Sequence, residues 1–222
     1  MRGFSWIFML ILTASSAAAQ TSQPMPDMPR WDVNLNAGIF GHRPADTVHS
    51  YDNWYNEGRY AASIGYYWTE NLKTEFEFAH TGEGELHFEE LARVPGSGAP
   101  HSVYGQSFHR LQQTSLRMVW QFGDNTWVHP YVSGGYVLDA DRQRRFSPLT
   151  YSYPGDPRTV PPIIVRPAIN SGPDTAYRHG VSLGAGSKFY VAPQAYINTG
   201  VQWTYAQPAK TITFYSGFGF EF

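Results

Sequence analysis

Charged residues at alternate positions are the first candidates for chemistry in this sequence. They fall in segments that are otherwise rich in Gly, Ser, Asn and Gln, and they comprise three bases and three acids: Lys73, Glu75, Glu77, Arg117, Lys188 and Glu221. A spacing of two residues places side chains on one face of a strand. Around a narrow interior, such a mixed set could line an ion path or pair into a plug. Because a buried charge without a partner is unfavourable, we favour the plug.

Two other groups of residues suggest metal or phosphate binding, and neither has the required spacing. One segment is crowded with imidazole and carboxylate groups, which bind divalent metals: His80, Glu83, Glu85, His87, Glu89 and Glu90. Their spacing matches no recognised metal site, so we interpret the segment as a solvated acidic loop. The segment Gly184–Lys188 lacks both the spacing and the following helix of a phosphate-binding loop. We therefore assign no catalytic, cofactor-binding or metal-ligating residue, and we expect no cofactor.

The composition excludes several classes of function. The 222 residues include no cysteine, which excludes disulfide scaffolds, thiolate zinc sites and thiol nucleophiles. The 16 Lys and Arg against 18 Asp and Glu give a net charge of −2, without the basic footprint of a nucleic-acid-binding domain. We therefore expect no nucleic-acid partner. With 16% aromatic residues, 21 glycines and only 15% charged residues, the chain favours β structure.

The N-terminal residues predict export. Arg2 precedes the apolar run Phe4–Thr13, and Ala17–Ala19 provides the small residues of a cleavage site. The apolar run is about half of the ~20 residues that a transmembrane helix needs. We predict three parts of the chain: a signal peptide at 1–19 cleaved after Ala19, a flexible proline-rich lead-in at 20–29, and a folded domain at 30–222.

Eight segments alternate apolar and polar residues with the period of a β-strand. They are Trp31–Ile39, Tyr60–Trp68, Leu72–Phe78, Phe108–Phe122, Val128–Asp139, Val181–Val191, Ile197–Trp203 and Ile212–Phe222. Short turns alternate with long connections, and the long connections are His42–Glu57, Gly82–Gly105 and Arg142–Ala176. Only the last hairpin, around Gln207 and Pro208, is short where a long loop is expected.

The two faces of these segments differ, and the difference predicts a membrane barrel. One face carries mixed charges and small polar residues, whereas the other carries large apolar residues. Aromatic residues gather near the short turns, as in an interfacial girdle: Trp31, Trp68, Trp120, Phe122, Trp127, Phe189, Phe220 and Phe222. A soluble barrel, the alternative, would bury the apolar face. We predict an all-β fold, an eight-stranded antiparallel up-and-down transmembrane β-barrel, because closure pairs every backbone group in the bilayer.

The C-terminal residues resemble the assembly signal of bacterial outer-membrane barrels. The chain ends in Gly217-Phe218-Gly219-Phe220-Glu221-Phe222, an aromatic-x-aromatic ending. The resemblance implies recognition by the barrel-assembly machinery through Gly217, Phe220 and Phe222. In addition, the stretch Trp120–Asp124 followed by His129–Gly135 is similar to the periplasmic turn and following strand of small barrels of the OmpW and OmpA membrane-domain kind.

The resemblance implies a place in the bacterial outer membrane, with outer-membrane lipid and lipopolysaccharide as partners. The leading hypothesis is a structural or porin-like barrel with a narrow, occluded polar lumen and no enzymatic activity. The alternative is a surface adhesin or ligand-binding barrel, which would bind an extracellular ligand through the Tyr- and Pro-rich loop 142–176. The third hypothesis is a lipid-modifying enzyme. Lipid A deacylase barrels carry a His-x-Ser pair at the outer rim, and His179 and Ser182 lack that spacing.

Overall fold

The computed structural model describes residues 29–43, 54–93, 100–123, 127–152 and 163–222. The predicted signal peptide and nearly all of the predicted lead-in lie outside the described residues. Within them every regular element is a β-strand. No helix in this part of the chain is long and apolar enough to cross a membrane.

Eight long strands form the wall of the barrel. They are β1 (Trp31–Arg43), β2 (Tyr55–Thr69), β3 (Leu72–Arg93), β4 (Pro100–Gln121), β5 (Val128–Ser147), β9 (Asp174–Ala192), β10 (Ala195–Ala206) and β11 (Ala209–Glu221). Three short strands, β6 (Thr150–Ser152), β7 (Ile163–Arg166) and β8 (Ile169–Asn170), lie between β5 and β9. β6 pairs with β7, and β8 pairs with the end of β5.

The wall closes on itself. Each long strand pairs antiparallel with the long strand that follows it in the chain, and β1 also pairs with β11 over the register from Asp32↔Glu221 to Arg43↔Lys210. Closure leaves no edge in the long-strand sheet, as backbone groups in hydrocarbon require. The prediction of an eight-stranded antiparallel up-and-down barrel is confirmed.

The polar face of each strand points inward. In β1, Asp32 and Asn34 are buried, whereas Leu35 and Ile39 are 69% and 65% exposed. On the other long strands, too, large apolar side chains are exposed at the positions that face outward. The alternative of a soluble barrel with an apolar interior is therefore wrong, since the apolar face covers the outside.

The two rims of the barrel differ. At one rim the hairpins are short; in the β2–β3 turn the Thr69 hydroxyl accepts a hydrogen bond from the Leu72 backbone N–H at 3.1 Å, which closes the turn. The aromatic residues of the predicted girdle are exposed around this rim, and we call it the periplasmic rim. At the opposite, extracellular rim, 11 residues connect β1 to β2 and 26 residues separate β5 from β9. At the same rim, six residues connect β3 to β4, and Gln207 and Pro208 form the β10–β11 turn.

Strands replace much of the predicted long loops. β3 continues to Arg93 and β4 begins at Pro100, so the prediction of a loop at Gly82–Gly105 is wrong. A bulge between His80 and Glu83 shifts the alternation of inward and outward residues by one position. The alternation of apolar and polar residues in the sequence is therefore interrupted at this point of β3. Beyond the bulge, an inward cluster of Phe40, Tyr55, Leu86 and Leu111 packs inside the wall and stabilises the longer strands. The acidic segment therefore lies on a strand, where Glu83, Glu85, His87 and Glu89 share one face.

Candidate functional site in the barrel lumen

The charged residues singled out in the sequence line the lumen. Lys73, Glu75 and Glu77 are spaced by two on β3, and all three are buried. Arg117 on β4 lies directly opposite Glu75 in the register. Glu221 on β11 faces the same interior from the far side of the wall.

Ion pairs at the periplasmic end join strands from opposite sides of the barrel. The Lys188 ammonium lies 2.9 Å from Glu221 Oε1 and 2.9 Å from Asp32 Oδ2. Asp32 Oδ2 also accepts a hydrogen bond from Lys73 Nζ at 2.6 Å. Lys73 Nζ donates another to Glu75 Oε2, also at 2.6 Å. Acid and base therefore alternate from β11 through β9 and β1 to β3.

The alternation continues towards the extracellular end. Arg117 Nη2 donates to Glu75 Oε1 and, at 3.0 Å, to Glu77 Oε2. Glu77 Oε1 also accepts a hydrogen bond from Arg59 Nη2 at 2.5 Å. Arg59 then donates to Gln113 at 3.2 Å, and the Gln113 amide donates to Asp139 at 3.0 Å. The contacts thus run through the middle of the lumen without a break.

We call the eight ionic residues of this series the lumen charge network. Its carboxylates are Asp32, Glu75, Glu77 and Glu221, and its cations are Arg59, Lys73, Arg117 and Lys188. Four negative and four positive charges make the network neutral. Glu221, its most exposed side chain, is only 8% exposed. Charges so deeply buried persist only where they are paired, and each of these eight has a partner of opposite sign.

Phenol groups fill the space around the periplasmic half of the network. Tyr67 donates a hydrogen bond to Glu221 at 2.7 Å, and Tyr196 donates one to Asp32 at 2.8 Å. The Lys188 ammonium lies 4.1 Å from the centre of the Tyr196 ring. Each aromatic ring thus adds both bulk and a polar contact to the same few ions.

Hydrogen bonds also cross the lumen beside the network. Arg117 on β4 donates to Gln202 on β10 at 2.9 Å, and the hydroxyls of Tyr131 on β5 and Tyr215 on β11 are 2.7 Å apart. A cavity of about 10 Å³ remains between them, bordered by Glu75, Arg117 and both tyrosines. This volume accommodates about one water molecule.

A second buried cluster lies nearer the extracellular rim. Both oxygens of Asp141 lie 3.2 Å from His109 Nδ1, and Ser107 Oγ lies 3.2 Å from His109 Nε2. Arg178 donates to Asp141 at 3.0 Å. The ring of Tyr55 stacks on His109 with centroids 5.8 Å apart. The contacts run from Ser107 to His109 to Asp141, as they do from serine to histidine to aspartate in a hydrolase triad. A nucleophile must be open to its substrate, however, and Ser107 is only 6% exposed.

The structure brings all six predicted lumen charges into one network and adds two that the sequence analysis missed. Asp32 and Arg59 occupy positions on the polar face of their strands, so the alternation of apolar and polar residues was enough to predict that both face the lumen. By contrast, His179 bonds to Tyr136 on the outer surface, whereas Ser182 is buried in the lumen, so these two residues do not form a catalytic pair. Among the described residues, no group of three or more His, Cys, Asp or Glu side chains could hold a metal ion.

The C-terminal residues predicted to guide assembly lie along β11 at the periplasmic rim. Phe220 and Phe222 are 40% and 55% exposed on the outer surface. Gly217 lies opposite Asn36 in the register, and a Cβ atom there would collide with the backbone of β1. The glycine thus permits the close approach of the last strand to the first.

A closed eight-stranded barrel with an apolar exterior and a paired polar lumen defines the class of small transmembrane β-barrels. Residues 6–222 match the family described as outer membrane protein beta-barrel domain, and the chain belongs to this family. Family membership places the protein in the bacterial outer membrane. A comparison with the curated proteins found no match.

Solved structures of bacterial surface barrels have a similar fold. Neisserial surface protein A superposes with a TM-score of 0.53 at 10% identity, covering 86% of this chain and 97% of that chain. The N-terminal β-barrel domain of Pseudomonas aeruginosa OprF gives 0.47 at 18% identity, over 88% of this chain and 100% of that chain. Ail, the attachment invasion locus protein of Yersinia pestis, gives a TM-score of 0.47 at 14% identity, over 88% of this chain and 100% of that chain.

Proposed function

We propose that the protein is a structural outer-membrane barrel whose lumen is closed to ions by the lumen charge network. The observation that carries this proposal is the unbroken alternation of eight paired charges across a lumen of only eight strands. An eight-stranded barrel is just wide enough for its side chains to fill. Each charged group of the network is already paired with a group of opposite sign, so a passing ion would have to compete with a buried ion pair.

The direction of the contacts supports a plug rather than a lined channel. A channel needs charges arranged along the wall with water between them. Here Lys188 joins β9 to β1, and Arg117 joins β4 to β10, so the bonds cross the path that an ion would take. An ion could pass only by breaking several buried pairs together, each of which is strongly unfavourable to break.

Conductance of the full-length mature chain in a planar bilayer tests the proposal. We expect no steady channel from the folded protein. In a variant with Glu75→Gln and Glu77→Gln, Arg117 loses both carboxylate partners, and we expect intermittent current because the plug is loosened. The matched control replaces Glu83 and Glu85 by Gln on the outer surface, and it should remain silent. Steady conductance by the unaltered protein would refute a closed lumen.

The absence of enzymatic activity is part of the same proposal. It is supported by the burial of Ser107 and by the separation of His179 from Ser182 across the wall. A fluorophosphonate probe, which labels activated serines, should leave the folded protein unlabelled. Labelling that disappears in a Ser107→Ala variant would overturn this part of the proposal.

A ligand-binding role for the extracellular segment is the second candidate. It is supported by apolar side chains exposed beyond the lipid-facing part of the wall, among them Tyr104, Phe146, Leu149 and Ile164, at 43–60% exposure. Exposed apolar surface of this kind marks interaction sites. Residues 153–162 of the loop 142–176 that carried the hypothesis lie outside the described residues, whereas the ends of the loop belong to β5 and β9.

Replacing residues 148–168 by two glycines would test this candidate without opening the barrel. Ser147 and Ile169 are direct neighbours in the β5–β8 register, so a two-residue linker can join them. Binding to host cells or matrix proteins should then be lost while folding survives. If binding by the shortened protein is unchanged, the segment is not the binding site.

Export and assembly complete the proposal. We expect cleavage after Ala19, which the mass of the mature chain measures directly. The exposed positions of Phe220 and Phe222 are consistent with recognition of the last strand by the barrel-assembly machinery. A Phe222→Ala variant should reach the outer membrane in smaller amount, whereas Phe214→Ala on the same outward face should not. Equal amounts of the two variants would contradict a role for the terminal residue.

A further inference from the structure

Three arginines project from the outer surface just above the lipid-facing part of the wall. Arg110 on β4 lies directly opposite Arg142 on β5, and Arg144 follows two residues later on the same face. Arg110 and Arg144 are 44% and 49% exposed. We call these three residues the outer arginine cluster.

Strand length places this cluster at the level of the outer-leaflet headgroups. Arg110 precedes Gln121, at the periplasmic end of β4, by eleven residues. At about 3.3 Å per residue and a tilt of about 40°, this span rises roughly 28 Å, against about 25 Å for the apolar band of such barrels. Below the cluster, the outward residues of β5 are apolar: Ala140, Leu138 and Tyr136. On β4, Gln112 and Thr114 come before the apolar Leu116.

The cluster carries more positive charge than its neighbours balance. Glu83 is shared, with Oε1 at 3.4 Å from Arg144 and Oε2 at 3.9 Å from Arg110. Glu85, the next acid on that face, is 3.3 Å from His87. Like charges directly opposite each other across two strands are unfavourable, so an anion between them would be stabilising.

Arg142 is the least balanced member of the cluster. Within the ranges that the structure describes, its guanidinium has no carboxylate within ion-pair distance. Its neighbour on β9 is Thr175, whose backbone N–H donates to the Asp174 carboxylate at 2.8 Å. Beneath Arg142 on the same face of β5 lie Ala140 and Leu138.

We infer that the outer arginine cluster binds the phosphate groups of the glycolipid of the outer leaflet, lipid A. Guanidinium groups match phosphate oxygens with paired hydrogen bonds, and opposed arginines can grip one phosphate from two strands. The apolar surface of β5 below Arg142 takes the acyl chains, and a free phosphate anion has no acyl chains to place there. The inference rests on the outer-membrane location and is independent of whether the lumen conducts.

A second pair of cations at the same rim serves as the control. Arg43 on β1 lies opposite Lys210 on β11, and both positions face outward. These two strands form a different part of the wall from β4 and β5. Replacing Arg43 and Lys210 by Gln removes the same charge as replacing Arg110 and Arg142. The two double variants therefore separate a specific site from an effect of net charge.

Native mass spectrometry of the full-length mature protein in a zwitterionic detergent measures binding of diphosphoryl lipid A. We expect the Arg110→Gln and Arg142→Gln double variant to bind at least about tenfold more weakly than the unaltered protein. The Arg43→Gln and Lys210→Gln variant should bind as the unaltered protein does. Lipid A stripped of both phosphates should bind weakly and should no longer distinguish the variants. Migration of unboiled samples on gels checks that each variant is folded.

Three results would overturn the inference. Equal binding by the unaltered protein and the Arg110/Arg142 variant would show that the cluster is not the site. An equal loss in both double variants would show attraction by net charge only. Full displacement of lipid A by millimolar inorganic phosphate would show an anion site that does not depend on a lipid.

Discussion

Single residues in the lumen act as parts of a shared network, so each has several partners. Asp32 Oδ2 alone contacts Lys73, Lys188, Tyr67 and Tyr196. Removing one member leaves the others buried with unbalanced charge, which is more unfavourable than losing one exposed ion pair. The lumen is therefore sensitive to substitutions that the outer surface tolerates.

Arg117→Met should lower the free energy of unfolding by about 3–5 kcal/mol, because Glu75 and Glu77 then lose their shared cation. Urea unfolding in lipid vesicles measures the change. Arg142→Met removes an exposed arginine from the next strand and should change stability by less than about 0.5 kcal/mol. Comparable losses in both variants would contradict a stabilising role for the network.

Gly65→Ala tests how tightly the network is packed. A Cβ atom at this inward position would contact the Asp32 carboxylate and lie 3.1 Å from Lys73 Cδ. We expect a loss of about 1–3 kcal/mol, since the lysine must move from its ion pairs. Gly58→Ala on the same strand meets nothing within 4 Å and serves as the control. Equal stability of the two variants in the same urea assay would mean that the lumen accommodates the methyl group.

The strands themselves extend beyond the membrane because the upper part of the barrel has its own packed interior. Phe40, Tyr55, Leu86 and Leu111 form a buried cluster there. This packing holds β3 and β4 together where the sequence analysis predicted a loop. The bulge between His80 and Glu83 keeps Leu86 facing inward by shifting the alternation at that point.

Leu111→Ala should destabilise this extension by about 2–5 kcal/mol, because the side chain is 1% exposed and leaves a cavity. Limited proteolysis of the folded protein measures the effect, and we expect faster cleavage between β3 and β4. Leu149→Ala alters a side chain that is 49% exposed, and it should leave the cleavage rate unchanged. Unchanged cleavage in the Leu111 variant would mean that the extension does not depend on this cluster.

At the scale of the whole molecule, closure of β1 against β11 produces both the membrane wall and the lumen network. The pairing joins the first and last strands over the full length of β1. It also brings Asp32 to within ion-pair distance of Lys188, 156 positions further along the chain. The network can therefore form only once the barrel closes.

The closed barrel should resist detergent until it is heated. On gels we expect unboiled protein to migrate differently from boiled protein, because the continuous ladder keeps the chain compact in detergent. A proline at Ala37, in the middle of β1, removes a ladder hydrogen bond between the first and last strands and should reduce the unboiled band. Identical migration before and after boiling would contradict a closed barrel.

The sequence by itself determined the number of long strands, the facing of seven of them and six of the eight network charges. All three follow from an alternation of period two, which is a local property that neighbouring residues impose on each other. Asp32 and Arg59 obey the same alternation, so they too were within reach of the sequence. The alternation was interrupted where a bulge shifted it, after His80, and it left the facing of β5 ambiguous because both faces of that strand carry small or mildly polar residues.

Only the tertiary structure decided which charges meet. Lys188 pairs with Asp32 and Glu221 because closure and register bring β9, β1 and β11 to the same height in the lumen. In the same way, Arg110 and Arg142 face each other because β4 and β5 pair in one particular register. Alternation states which side of the wall a residue faces, whereas pairing between distant strands sets its height and its neighbours.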